Sequence, residues 1–590
     1  MNPNEGTGIR ALSAAAFILS GIGILLFLAR LRYGTDFIDE AFYAATAYRF
    51  ATGARPLLDD VDLHQTAALI TAPWVRLHLW IFGDTTGIVL SLRLLWALLN
   101  GTAAFLAFRF LRRILDPAVA VLCAVCAFGV MPYMIPAPSY NTLPVAFSSM
   151  ALSLISLRLL DERDGRPYDM AIAGALLALA VLAYPSLVLL ALASVVLVRL
   201  LAGGWRESLW LLAGGLAAGL LILLGLAPYL SSIPGLVQEA STLAGVFGWG
   251  SGQAGIVDKI LQLVVPLTIA ATSSLSFWLA GLAGGLQTMR RSVPLWLALG
   301  LAVMVPFGFA APSDVRTLTF AISVLVSSSI IAFTGRARRE GGFPQAVRLL
   351  RLSCLYGIIA GVTLAFTSGI GSRYVGLGAA AVLAPAIAVL VARVRASGSK
   401  AKLGSTALLA VQLAVPAALL VSLLFFTWTG FYRDVPPFEA DSAVRVGPHA
   451  GLMTSEETAE DVEALWRAMQ KHSSAENRVF AFHGLPAAYL YTQARPSTRM
   501  LWSISYDALG ASEPSDAMLE QLRDPKTSPD IVVRNLGLPN PQVLAQNATT
   551  NYDPSTDRVA RYVGENFRVI ERGRNWELLG RSDSKDTPDP

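Results

Sequence analysis

Apolar stretches long enough to cross a lipid bilayer recur along this chain, beginning with ALSAAAFILSGIGILLFLARL at residues 11–31. A transmembrane helix needs about 20 consecutive apolar residues, because in hydrocarbon every backbone N–H and C=O has to be satisfied within the element itself. Hydropathy gives roughly thirteen crossings of this kind. They lie near residues 11–31, 87–110, 117–135, 143–160, 169–183, 186–201, 209–230, 260–288, 294–312, 317–335, 350–369, 375–393 and 405–429, with the pair around Tyr184-Pro185 the weakest. With 54% hydrophobic against 15% charged residues, and a mean hydropathy of +0.54, one soluble globular chain is excluded. Residues 11–31 are followed by no small-x-small cleavage site and by many further spans, so they read as a retained first helix rather than a removed secretory signal.

The formal charge of +5 belongs mostly to connections between spans. Arg112, Arg113, Arg163, Arg166, Arg206, Arg290, Arg291, Arg336, Arg338, Arg339 and Lys400 fall in alternate connections, whereas the opposite ones hold few cations, such as Lys259, Arg316 and Arg373. The excess of Arg and Lys on one side predicts a cytoplasmic amino terminus, and an odd number of spans then exports the carboxyl terminus. Nothing suggests a nucleic-acid partner. Cys123-x-x-Cys126 lies inside an apolar span and Cys354 in another. They read as small buried hydrophobes, not as a redox or metal motif.

From about residue 430 the composition becomes that of a soluble domain. TSEETAEDVEALWRAMQKHS carries Val462, Leu465, Trp466 and Met469 at helical spacing, with Thr454 and Glu457 as an expected capping box. The strand-like runs RVFAF, DIVVR, RVIER and WELLG alternate with the helical patterns PAAYLYTQA, DAMLEQL and DRVARYVGENF. The expected division is a transmembrane domain over residues 1–430, a small extracytoplasmic α/β domain over 431–580 and a disordered tail over 581–590.

The first outer connection, residues 32–86, is far too long for a simple link between neighbouring helices. EAFYAATAYRFATG sets Phe42, Ala47 and Phe50 on one helical face, and AALITAPWVRLHLWIFG groups Leu69, Ile70, Trp74, Leu77, Trp80 and Ile81. Both read as amphipathic helices in the membrane interface with aromatic anchors. They hold two acidic clusters near the bilayer: Asp36, Asp39 and Glu40, then Asp59, Asp60 and Asp62 with His64.

The order Asp39-Glu40 followed by Tyr43, then LHQTAALITAP, then a span with an arginine near its outer end, Arg93 in SLRLLWALLNGTAAFLAFRFLRR, resembles the membrane glycosyltransferases of the GT-C class. Within that class it resembles particularly the protein O-mannosyltransferases and the lipid A aminoarabinose transferases. LAYPSLVLL and TSGIGSRYVGLG are similar to later spans of that class, whereas the prolines that many relatives carry after the histidine are missing after His64. The resemblance implies a GT-C-like fold and a donor in which a sugar is carried on a polyprenyl phosphate. It also implies an acceptor outside the cytoplasm (a glycolipid, envelope glycan or protein) and a place in a bacterial inner membrane.

That chemistry needs a general base for the acceptor hydroxyl and positive charge for the departing phosphate. Asp39 is the first candidate for the base, with Glu40 beside it. Arg93 and Arg373 are candidates for the donor phosphate. Arg93 lies inside a span, where a guanidinium costs about 2.5–3.5 kcal/mol to insert, so a ligand or an ion pair with a first-loop carboxylate is expected. Asp59, Asp60, His64 and Tyr374 are candidates for substrate binding. Tyr140 and Asn141 sit in the proline-rich connection MPYMIPAPSYNTLP, which either lines a cavity for sugar hydroxyls or caps the next span as a rigid turn. VFGWGSGQAG at 246–255 reads as a lid or a loose loop. The acidic clusters could hold a divalent cation, but no spacing fixes a ligand set and no metal is assigned. The competing classes are a lipid-linked glycan ligase or polymerase, and a transporter or flippase. Against a transporter, the spans show no inverted repeat and few ionisable residues at mid-membrane depth.

Overall fold

The computed structural model describes residues 3–61, 65–160, 168–202, 205–235, 237–238, 261, 263–304, 315–334, 344–368, 371–482, 484–503, 506–507, 512–537 and 555–582. The chain is an integral membrane protein, mostly helical, with a small α/β domain at its carboxyl end. Its long helices are α1 (Pro3–Arg30), α2 (Asp39–Ala51), α3 (Gln65–Phe82), α4 (Ile88–Leu111), α5 (Pro117–Phe128), α6 (Thr142–Leu160), α7 (Tyr168–Ala183), α8 (Val188–Ala202) and α9 (Arg206–Leu226). Then come α10 (Val264–Gly285), α11 (Val293–Met304), α12 (Arg316–Thr334), α13 (Pro344–Thr367), α14 (Val375–Ala381), α15 (Leu383–Lys400) and α16 (Ser405–Thr429).

Each of the thirteen apolar segments of the sequence falls on a helix, but they are not thirteen equal spans. Among the described residues eight helices are long and apolar enough to cross a bilayer, and α14 with α15 forms a ninth only as a pair bent by 69°. The segments at α5, α7, α8 and α11 are shorter apolar helices. Proline explains two of these shortfalls. Expected helix 117–135 stops at Phe128 because Met131-Pro132 leads into Tyr133 and Met134, both at positive φ, a conformation no helix continues through. Between α7 and α8, Pro185 cannot donate to the helical ladder, and the chain makes a 3₁₀ turn over Pro185–Leu187.

The first connection folds as expected into two helices. Phe42, Ala47 and Phe50 of α2 are buried. In α3 the face turned inward is the small one, Ala67, Ala68, Thr71 and Val75, while Leu77, Trp80, Ile81 and Phe82 stay exposed, as suits a helix bordering lipid.

Past α16 come β1 (Ser442–Ala443), β2 (Met453–Thr454), α17 (Glu456–His472), β3 (Arg478–Phe482), β4 (Arg495–Pro496), α18 (Ser512–Arg523), β5 (Ile531–Asn535), α19 (Arg558–Asn566), β6 (Phe567–Arg572) and β7 (Trp576–Arg581). Five of these strands make one sheet in the order β4-β3-β5-β7-β6, parallel across β4-β3-β5 and antiparallel across β5-β7-β6. Strand side chains alternate between faces. Phe480, Phe482, Val532 and Leu579 pack on α18 and α19, whereas Val479, Ala481, Val533 and Leu578 join a core with Phe37, Phe42, Val75, Ile88 and Leu92 of the first connection and α4. The domain therefore shares a hydrophobic core with the membrane part. Two local expectations shift. PAAYLYTQA forms a 3₁₀ turn over Pro486–Leu490, not an α-helix. The cap of α17 is Ser455, whose Oγ accepts from the Thr458 N–H at 3.3 Å, not Thr454.

Backbone pairing fastens the docking. Gly34 N–H donates to Met453 C=O at 2.9 Å and Met453 N–H to Arg32 C=O at 2.6 Å, while Gly87 N–H donates to Gly447 C=O at 3.0 Å. The first connection and the carboxyl-terminal domain thus lie on one side of the membrane.

Candidate functional site

The site begins with how α2 starts. Asp36 accepts hydrogen bonds from the backbone N–H groups of Ile38 (3.0 Å), Asp39 (3.3 Å) and Glu40 (2.9 Å), donors that a helix terminus would otherwise leave unsatisfied. Burial pushes the Asp36 carboxyl up to about 7, against the pull of Arg433. With the first turn so fixed, Asp39 and Glu40 project roughly 100° apart, and their fates diverge.

Glu40 points into the protein, where it is 2% exposed and meets Arg93. Arg93 Nε donates to Glu40 Oε1 at 2.6 Å and Nη2 to Oε2, Nη1 donates to the carbonyls of Leu31 (2.8 Å) and Tyr33 (3.1 Å), and Nη2 also donates to that of Gly34 (2.8 Å). These contacts occupy all five N–H donors of a guanidinium. Arg93 therefore has none left for a donor phosphate, and Glu40 has no free oxygen for acid–base work. The ion pair weighed for Arg93 from the sequence is the arrangement found, and it corrects the phosphate and catalytic expectations for these two residues.

Asp39 points the other way. Its Oδ2 accepts from the Tyr432 hydroxyl and lies 3.3 Å from Arg433 Nη1. Among the described residues Oδ1 accepts no hydrogen bond. Arg433 also lies 3.7 Å from Asp36 Oδ1 and stacks 4.6 Å over the Tyr432 ring.

Beside Asp39 runs a chain of tyrosines. Ring centroids are 5.4 Å apart for Tyr43–Tyr140, 6.0 Å for Tyr140–Tyr184, 6.2 Å for Tyr184–Tyr374 and 6.0 Å for Tyr133–Tyr374. Burial, and then the charge of Asp39, raises the hydroxyl of Tyr43 well above the ordinary phenol value; burial first and the neighbouring phenols next do the same for Tyr140 and Tyr374. These hydroxyls stay protonated and can donate to a substrate oxygen. Asn141 is buried at the same place, its Oδ1 without a partner among the described residues. Next to Tyr374, in the 3₁₀ turn Gly371–Tyr374, half-buried Arg373 makes no ion pair or hydrogen bond among the described residues.

So Asp39, Tyr140 and Tyr374 come together, with Asn141 and Arg373 next in sequence to members of the cluster. The second acidic cluster does not join them. Asp59 binds exposed Arg55 at 2.9 Å, and buried Asp60 lies 3.5 Å from Arg49. Asp59 also accepts from the Arg55 N–H across the turn that holds Leu57 at φ 65°, so these two carboxylates, expected to bind substrate, are engaged with arginines of the first connection. Asp62, His64 and the 246–255 segment lie outside the described residues. No group of three potential ligands able to hold a metal ion occurs among the described residues.

Sequence reasoning missed Tyr432, Arg433 and Asp434. Their signal was the short polar run FYRD directly after the last span, easily passed over as a linker. Asp434 accepts from Thr35 N–H and Thr35 Oγ1 (2.8 Å) and, at its other oxygen, from Thr454 Oγ1 (2.8 Å). Arg30 donates to the carbonyls of Thr427 (3.0 Å), Tyr33 (2.6 Å) and Gly430 (3.3 Å). A cavity of about 20 Å³, room for one water, remains between Tyr33, Asp36, Glu40, Arg93, Tyr432 and Asp434.

No protein-family model matches the chain, and no curated protein matches it at a significant level. Solved structures do. ArnT from Cupriavidus metallidurans aligns over 98% of this chain and 100% of its own in the apo state, at 13% identity and a TM-score of 0.40. The same protein bound to undecaprenyl phosphate aligns over 98% and 99%, at 14% identity and a TM-score of 0.41. The apo oligosaccharyltransferase of Archaeoglobus fulgidus aligns over 97% of this chain and 75% of its own, at 13% identity and a TM-score of 0.46.

Proposed function

We propose that this protein is a membrane glycosyltransferase that moves a sugar from a polyprenyl-phosphate donor to an acceptor outside the cytoplasm, in a bacterial inner membrane. The observation that carries the proposal is the state of Asp39. Its carboxylate is gripped at Oδ2 by Tyr432 and Arg433, beside a run of tyrosine hydroxyls that ends next to Arg373, and among the described residues neither Oδ1 nor Arg373 has a partner. Glu40, by contrast, is engaged at both oxygens. The Asp39-Glu40…Tyr43 motif of the GT-C class supports the same reading.

In this mechanism Oδ1 of Asp39 accepts the proton of the acceptor hydroxyl as its oxygen bonds to the anomeric carbon. The bond from that carbon to the phosphate oxygen breaks, and polyprenyl phosphate leaves as an anion that needs no proton from the protein. Arg373 meets the charge developing on the phosphate. Tyr140, Tyr374 and Asn141 offer donors and an acceptor to the sugar hydroxyls. The transmembrane part, residues 1–430, presents the donor at the outer leaflet, and residues 431–580 cover the site from outside.

The test gives purified protein a panel of labelled polyprenyl-phosphate hexoses with an extract of envelope acceptors. Asp39→Asn lowers kcat by about 10²–10⁴-fold while donor binding survives, and Arg373→Ala lowers kcat/KM for the donor more than acceptor affinity. Retention or movement of the lipid with no bond made or broken would leave a transporter instead. Near-unchanged turnover in a folded Asp39→Asn variant removes Asp39 from the chemistry.

A further inference from the structure

We infer that the segment Phe431–Asp434 is a positioning strap, through which docking of the carboxyl-terminal domain sets the geometry of Asp39. This rests on the glycosyltransferase reading and extends it to residues at the far end of the chain.

Three observations support the strap. Tyr432 and Arg433 bind the same carboxylate oxygen, Oδ2, which orients the carboxylate and leaves Oδ1 to face the acceptor. Because both contacts fall on one oxygen, the other stays accessible. Secondly, Arg433 sits at φ 55°, a left-handed conformation that is strained for a non-glycine residue and persists only where the surroundings over-determine it. What over-determines it is on either side. Arg30 fastens Gly430 to the end of α1, and Asp434 fastens the other end to Thr35. Thirdly, the remaining oxygen of Asp434 accepts from Thr454 Oγ1 and from the backbone N–H of Val435 (2.7 Å). Thr454 belongs to β2, next to Met453, the residue whose backbone pairs with Arg32 and Gly34. Domain docking, the strap and the Asp39 rotamer therefore form one connected set of contacts. Asp39 faces Asp36 and Tyr43 from its own connection, Tyr140 from the turn after α5, and Tyr432 and Arg433 from the strap.

The experiment is a double-mutant cycle in the intact protein, using whichever polyprenyl-phosphate hexose the unaltered protein turns over and reading release of polyprenyl phosphate. Tyr432→Phe keeps the ring under Arg433 and removes only the hydroxyl. It lowers kcat about 10- to 100-fold, as a misplacement of catalytic groups does, with donor KM little changed. Thr454→Val, outside contact with Asp39, lowers kcat several-fold in the same direction. In the Asp39→Asn background both substitutions lose their effect, because groups acting through one residue are non-additive. Should Tyr432→Phe fail to fold, Arg433→Lys, which keeps the charge, replaces it in the cycle. Full effects retained in the Asp39→Asn background, or unchanged kcat in Tyr432→Phe, overturn the strap while leaving Asp39 as base. Undiminished turnover by Asp39→Asn, or no turnover of any donor by the unaltered protein, overturns the glycosyltransferase reading and the strap with it.

Discussion

At the scale of single residues, the most informative contrast is between neighbours. Asp39 and Glu40 are adjacent carboxylates, and nothing in their chemistry separates them. Their separation comes from the helix start at Asp36, which sends one to Arg93 inside the protein and the other to the strap. The Arg93–Glu40 pair is almost wholly enclosed, with side-chain exposures of 3% and 2%. Removing one partner of such a pair strands a buried charge and costs about 3–5 kcal/mol. Glu40→Gln should therefore lower the thermal midpoint in detergent clearly, while the protein that remains folded keeps most of its turnover. A Glu40→Gln protein as stable as the original would mean that the three backbone carbonyls alone satisfy Arg93. The motif residues Asp39 and Tyr43 were legible in the sequence because they lie within one helical turn of each other. Arg433 was not legible as their partner, because close to 400 residues of chain separate it from Asp39 and only the tertiary fold closes that gap.

At the scale of elements, hydropathy located every apolar helix but misjudged several lengths, since it counts apolar residues and does not register a lost N–H donor or a positive φ. It also said nothing about which helices touch. The contact between α7 and α9 depends on glycine: at Gly214 the backbone carbonyl of Ala171 stands where a Cβ would go, and at Gly174 that of Leu211 does. Gly219, on the same helix α9, has nothing within 4 Å of that position. Gly214→Leu should force the two helices apart, with an overpacking cost of about 1–3 kcal/mol or more, whereas Gly219→Leu should be tolerated. Thermal midpoints of the two variants in the same detergent check this, and equal midpoints would refute the close approach.

At the scale of the whole molecule, the carboxyl-terminal domain is bound to the membrane part through a shared core that contains a buried histidine. His449 Nδ1 lies 2.9 Å from the Tyr491 hydroxyl, its ring packs 4.7 Å from Phe37, and Nε2 has no partner among the described residues. Burial, and then the charge of Arg93, lowers its pKa to about 3. Between about 3 and the ordinary histidine value of about 6.5, the unfolded chain binds a proton that the folded one does not, so this residue makes stability fall as pH falls through that window. Asp36, raised to about 7, acts oppositely, because the folded state holds its proton where the unfolded state releases it. A comparison of variants separates the two. The midpoint lost between about pH 7 and about pH 4.5 should be smaller in His449→Gln than in the unaltered protein, and an equal loss would remove His449 as a cause. Reporter fusions near residue 60 and at the carboxyl end should agree with each other, since residues 32–34 pair with Met453. Both should report the outside if the arginine asymmetry sets orientation.

The sequence by itself determined the helices, the class of protein, the carboxyl-terminal strands and the acidic motif, because each is a local pattern: a run of apolar residues, a period of two, a few residues on one turn. Only the tertiary structure decided which carboxylate stays available, which arginine is occupied and which segment grips Asp39. Those outcomes depend on where α4, the last span and the domain after it meet the first connection. The hydrogen bonds of Arg30 and Asp434 and the ion pairs of Arg433 are made across that closure, and no property of the residues taken in sequence order specifies it.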